Sequence, residues 1–199
     1  MHDEKHASIL RRTNPLKSVL WDIHKTRSMA RLNDVDRDGN TGVHYAVTSA
    51  RGGILKLLLN AGANPNLPNK KKCYPIHIVA SQGDTNIMKI LLESKRSRVH
   101  MDVKDSVGNT ALHRALQHGH EALALQLLQA GADPIGTENR DGWSPLMAAK
   151  SEYWNGKIEA ETVTRMHQFE AVRDLNSKID RAMERLKNRH DHRSTRIDI

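Results

Sequence analysis

The chain has 199 residues, a net charge of +8, 38% apolar and 4% aromatic residues, one phenylalanine and one cysteine. A core of that composition must come from Leu, Ile, Val, Ala and Met, which favours helices over a β-sandwich, and the lone Cys73 excludes an internal disulfide framework and a four-cysteine zinc site. No run approaches the roughly 18–20 apolar residues that cross a bilayer, and the N-terminus lacks the apolar stretch of a secretory signal.

The first segment, residues 1–33, carries seven Lys/Arg against three Asp/Glu. Its paired arginines and serines faintly suggest a mitochondrial presequence, but Asp3 and Glu4 argue against one. Within it, "PLKSVLWDIHKTRSMARL" (15–32) starts on proline and places Leu16, Val19, Leu20 and Ile23 at helical spacing, which predicts an N-terminal helical cap.

From residue 34 the sequence repeats itself. "GNTGVHYAVTSARGGILKLLLNAGANPN" (39–66) and "GNTALHRALQHGHEALALQLLQAGADP" (108–134) superimpose without a gap. "YPIHIVASQGDTNIMKILLES" (74–94) lies in the same frame, and "DGWSPLMAAKSE" (141–152) opens a fourth copy. The matching positions Thr41, Tyr74, Thr110 and Ser144 are 33, 36 and 34 residues apart. Each copy predicts a short helix (Val43 and Ala46; Ile76 and Ala80; Leu112 and Ala115), then a second helix around 54–59, 87–92 and 123–128. Two of these close on "NAGAN" or "QAGAD", where glycine can take a left-handed cap. Helices this short are marginal alone and persist by stacking on neighbouring copies.

These residues resemble the ankyrin repeat, a unit of about 33 residues with a T-P-L-H-x-A signature. The resemblance covers about residues 34–152 and implies an all-α solenoid of helix-turn-helix repeats with hairpin tips, at 34–66, 67–102, 103–135 and a degenerate 136–156. Departures are visible in each copy. Gly42 stands where the family has proline, so the first helix should start less crisply. Tyr74 replaces threonine, and repeat two lacks the glycine ending. Gln126 falls at the slot of Leu57 and Ile90, expected to be buried. Met147 replaces histidine, and Tyr153-Trp154 replace the glycine turn of repeat four.

Histidines invite a catalytic or metal reading, since His113, His118 and His120 lie within eight residues. The resemblance implies instead that His44, His77 and His113, once per repeat, are structural, each bonded to the residue three before it (Thr41 and Thr110 in two copies) and to the backbone. Groups repeated about 10 Å apart cannot share a metal bound at about 2.0–2.1 Å. His120 matches a turn position filled by Arg51 and Asp84 elsewhere. No Walker loop, nucleophile elbow or H-E-x-x-H occurs. "DVDRDGNTG" (34–42) imitates a calcium loop without its glutamate. Cys73 beside Lys70–Lys72 reads either as a thiol with lowered pKa or, more plainly, as a partly exposed turn residue. No catalytic residue, metal or cofactor is expected.

The resemblance also implies a concave binding face made by the tips and the first helices. Carried onto this chain, its candidate partner-binding residues are Arg37, Tyr45, Lys70, Lys71, Lys72, Ile78, Gln82, Ser106, Arg114, Gln117, His118, Arg140 and Trp143. With Lys95, Arg96, Arg98 and Lys104, the basic members should make that groove positive, and Tyr45 and Trp143 supply aromatic anchors. An acidic protein segment is the expected ligand; lysines that merely keep a tip soluble are the bland alternative. A basic nucleic-acid-associated regulator ranks below it, because no groove-reading motif appears.

After Lys157 the sequence runs to Arg189 without Pro or Gly, predicting a long C-terminal helix in the segment 157–199. Val163, Met166 and Phe169 should pack on repeat four. Val172, Leu175, Ile179, Ala182 and Leu186 follow 3-4 spacing, a short coiled-coil-like seam that reads as a partner-docking helix or a fold-back; barely two heptads argue against self-association. The sequence therefore predicts a non-catalytic interaction module, an adaptor or a subunit of a larger assembly (including the regulatory subunit of an enzyme), held in a reducing intracellular compartment, cytoplasmic or nuclear.

Overall fold

The structure is a computed structural model and describes residues 32–94, 98–169 and 171. Among the described residues seven helices follow in order: α1 Gly42–Thr48, α2 Gly52–Ala61, α3 Pro75–Gln82, α4 Thr85–Leu92, α5 Ala111–Gln117, α6 Glu121–Gln129 and α7 Pro145–Trp154. Residues 160–169 form an eighth, α8. No strand occurs among the described residues.

The odd helices stack as one layer, α1 on α3 on α5 on α7, and α2, α4 and α6 stack as a second layer behind it. Each helix buries one stripe. Leu55, Leu58, Ile76, Met88, Leu91, Leu112, Leu116, Leu123 and Leu127 are fully buried and form one continuous band between the layers. No repeat could bury that stripe alone, so the helices depend on their neighbours as the short periodic runs predicted.

Helix ends obey local chemistry. Thr110 Oγ1 accepts from His113 N–H at 3.5 Å, and Ser144 Oγ accepts from Met147 N–H at 3.3 Å. Helix α2 closes on Gly62 at φ 103°, with Gly62 N–H bonded to Leu59 O and Ala63 N–H to Leu58 O. Gly131, at φ 99°, closes α6 in the same way through Leu128 and Leu127. This is the paired C-terminal motif that lets glycine satisfy orphan carbonyls.

Several expectations are corrected. Helix α1 begins at Gly42 itself, because Thr41 holds the extended N-cap conformation that proline would otherwise favour. In repeat four, α7 runs through Tyr153 and Trp154, and the chain turns only at Gly156, with φ 72°. The slot of Leu57, Ile90 and Gln126 is not buried: Leu57 is 61% exposed, and the other two are half-buried. Gln126 Nε2 donates to Thr85 O at 3.3 Å, so an amide fits a position that faces partly outward.

The segment predicted as one long helix from Lys157 is helical over 160–169, after a turn, and its predicted continuation toward Arg189 lies outside the described residues. Its early part does pack on the stack. Ile158 and Met166 are buried, and Val163 and Phe169 lie against the core. Glu121, at the start of α6, accepts from Glu159 N–H at 2.8 Å and from the Thr162 hydroxyl, which sets the start of α8 beside the start of α6. Repeat four thus has two helices. The docking residues Val172, Leu175, Ile179 and Leu186, and the N-terminal cap helix apart from buried Leu32, lie outside the described residues.

Candidate protein-binding surface

The tips are built from one device used four times. Five residues before each odd-helix cap stands Asp36, Asn69, Asp105 or Asn139. Each side-chain oxygen Oδ1 accepts from the backbone N–H groups two and four residues on, at 2.8–3.0 Å. A short acceptor on a tight turn replaces a backbone partner in this way. Across tips, Lys70 N–H donates to Asp38 O at 2.9 Å, and Arg140 N–H donates to Val107 O at 3.2 Å. Asn69 Nδ2 likewise reaches Asn40 Oδ1, and Asn139 Nδ2 reaches Asn109 Oδ1, both at 3.0 Å. The tips are therefore joined in pairs, first with second and third with fourth.

The two aspartates spend their second oxygen on side chains of the odd helices α1 and α5. Tyr45 donates its hydroxyl to Asp36 Oδ2 at 2.6 Å, and Arg114 reaches Asp105 Oδ2 through Nε at 2.8 Å and Nη2 at 2.5 Å. Burial would raise both carboxyls, but these bonds and the turn amides outweigh it and hold Asp36 and Asp105 below the usual carboxylate range. The Asp36 bond pushes the Tyr45 phenol up to about 12. Tyr45 and Arg114 are thus members of internal pairs. Arg114 is not a free cation, since its partner Asp105 has a side chain only 3% exposed.

Each structural histidine points forward along the stack. His44 Nε2 donates to Cys73 O at 3.1 Å, and His113 Nε2 to Trp143 O at 2.8 Å. His77 Nε2 lies 3.0 Å from both Val103 O and Asn109 O. A carbonyl can only accept, so Nε2 carries the proton and Nδ1 is the acceptor. Nδ1 takes the N–H of Thr41, Tyr74 or Thr110 at 3.1–3.2 Å. The hydroxyls of Thr41 and Thr110 lie 2.9 Å from it. Tyr74, the odd member, sets its ring at 56° to the His77 imidazole, 5.6 Å between centroids. Burial holds all three imidazoles below their ordinary pKa.

His118 and His120 diverge. His118 is exposed at the end of α5, its Nδ1 2.8 Å from Arg114 O. His120 stacks on it and reaches back 3.1 Å to Ser81 O, so it joins repeats as well as turning the chain. Among the described residues no group of side chains could hold a metal ion. Cys73 is half-buried, and burial pushes its thiol up, against the reactive-thiol reading, because desolvation outweighs the pull of Arg114 and Lys71.

The remaining candidates separate by charge. Arg37, Lys70, Lys71, Lys72, Ser106, Arg140 and Trp143 are exposed at the tips, while Ile78 on α3 and Gln117 on α5 are half-buried. Gln82 ties Thr48 O at 3.0 Å. Arg37 and Arg140 sit next to Asp38 and Asp141, so the first and fourth tips are nearly neutral. Lys104 Nζ is bound to Glu138 O at 2.6 Å. Positive charge concentrates at the second tip. Lys72 there has φ 53° and occupies the left-handed position that Gly39, Gly108 and Gly142 fill in the other repeats. Lys95 and Arg96 fall outside the described residues.

Residues 43–137 match the family of ankyrin repeats, in three copies. The chain is an ankyrin-repeat protein, and ankyrin repeats are generic protein–protein interaction modules. It is 33% identical over 131 residues to the human transient receptor potential cation channel subfamily A member 1, covering 66% of this chain and 11% of that protein. It is 32% identical over 166 residues to the Caenorhabditis elegans homolog, covering 82% of this chain and 13% of the other. It is 31% identical over 133 residues to the mouse B-cell lymphoma 3 protein homolog, covering 64% of this chain and 30% of that one. The chain therefore spans less than a third of the length of these curated relatives. No helix among the described residues is long and apolar enough to cross a membrane.

Proposed function

We propose that the chain is a non-catalytic interaction module, an adaptor or assembly subunit, that captures an acidic segment of another protein at its second tip. The observation that carries this reading is Lys72. A side chain in the left-handed region costs about 1–2 kcal/mol against glycine. Here that conformation displays a third consecutive exposed ammonium beside Lys70 and Lys71. Asp105 is spent on the Arg114 guanidinium, so that carboxylate does not neutralise these lysines. With its single cysteine half-buried and unpaired, the module suits a reducing compartment, the cytoplasm or nucleus.

Charge reversal at Lys70, Lys71 and Lys72 tests it. A poly-glutamate peptide should bind the native chain at low salt and lose at least about tenfold in affinity to the triple variant, with the melting temperature unchanged. Equal binding by both proteins would refute the acidic-segment reading. A duplex DNA probe that binds more tightly than the peptide, with a steep salt dependence, would transfer the lysines to nucleic acid.

A further inference from the structure

In the first three repeats, the stripe of the odd helix that holds the histidine is closed by the next repeat. His44, His77 and His113 all touch backbone ahead of them, and three residues later Val47, Ala80 and Leu116 are fully buried. In α7 the same two places hold Met147, 53% exposed, and Lys150, exposed. Trp143, in the place of buried Asn109, is 43% exposed. With Ser151 and Asn155 these residues line an open trough of about 500 Å³.

This trough is the continuation of the α5–α7 packing face with nothing described beyond it. It is also held rigid. Trp143 N–H is bound to Asn139 Oδ1 at 3.0 Å, its carbonyl accepts from His113, and Ser144 and Pro145 fix the start of α7. An aromatic anchor on a fixed backbone loses little freedom when a partner seats on it. Lys150 forms no ion pair with a described residue, so the trough sets the apolar surface of Trp143 and Met147 beside one unpaired cation, with Ser151 and Asn155 as its neutral polar members. The chain's own residues 172–189 are a poor match in charge, with six Lys/Arg against three Asp/Glu.

We infer that the end face formed by Trp143, Met147 and Lys150 docks an amphipathic helix of another protein, laid against α7 as α7 lies against α5, with a carboxylate opposite Lys150. This surface is distinct from the lysine tip and stands or falls separately from it.

A displayed library of random peptides, panned on the full chain and on its Met147→Asp and Lys150→Glu variants, tests the inference. The native chain should enrich helical peptides with an apolar stripe and an acidic flank. Met147→Asp should weaken them at least about tenfold, and Lys150→Glu should switch the flank preference to basic. Both positions are exposed, so unchanged melting temperatures check folding. Enrichment that ignores both variants overturns the inference. Oxidative footprinting of Met147 in the free chain gives the other arm. Strong labelling at all concentrations is expected. Protection in the dilute monomer would show that the chain covers its own face, and protection that grows with concentration would show a second copy there; either result overturns the inference.

Discussion

Lys72 is where conformation and charge pull apart. Replacing it with glycine should remove the left-handed penalty and raise stability by up to about 1 kcal/mol, the gain being trimmed by the extra freedom of glycine in the unfolded chain. The same change should weaken poly-glutamate binding. Denaturant titration and the binding assay check the two halves together. The buried histidines give a second residue-scale prediction. Their folded pKa values lie below the unfolded value of about 6.5, so the unfolded chain takes up protons first as pH falls. Stability should be full above about pH 6.5 and decline as pH drops below it. Asp36 and Asp105, held low in the fold, should add a second loss only below about pH 4. Urea midpoints measured from pH 7.5 downward would reveal both phases, and a flat profile between pH 7 and 5 would contradict the buried-imidazole account. The repeat frame put all three histidines in one slot, and their bonds to the residue three before follow the pattern that the resemblance implied. The turn acceptors were not legible in the sequence. Asp36, Asn69, Asp105 and Asn139 alternate in type and look like ordinary loop residues, and only their constant place five residues before each cap marks them. Arg114 looked like a free cation because nothing in the sequence shows that the turn brings Asp105, nine residues earlier, against its guanidinium.

At the scale of elements, α8 is the sharpest lesson. Its existence was readable from helix formers, and its packing from Val163, Met166 and Phe169. Its start was not, since residues 157–159 carry no helix breaker; the turn at Gly156 and the Glu121 carboxylate decide it. Met166 is fully buried, so Met166→Ala should cost about 2–5 kcal/mol. Glu121→Ala removes the acceptor for Glu159 N–H and the Thr162 hydroxyl and should cost about 1–3 kcal/mol. If α8 were an independent arm, both changes would leave the melting temperature of the stack where it was. The exposure of Leu57 has a physical reason: helix periodicity reports which residues are apolar, and an outer helix can show one of them to solvent.

At the scale of the whole molecule, the tips are joined in pairs while the histidines join every repeat. The hydrogen bonds Asp38–Lys70 and Val107–Arg140 have no described counterpart between the second and third tips, where repeat two is longest and the lysines stand. Hydrogen exchange should therefore find the amides of Lys70 and Arg140, which donate across each pair, protected, with the joint between the pairs opening first.

The forward aim of the imidazoles also gives the stack a direction. Every repeat but the fourth hands a proton-bearing nitrogen to its successor, and Met147, in the fourth, hands over none. The first and fourth repeats are therefore each held by one such grip, those of His44 and His113, while the second and third are held by two. Mechanical peeling should thus begin at the ends of the stack, each step stripping one imidazole of its carbonyl, and the two inner repeats should yield last.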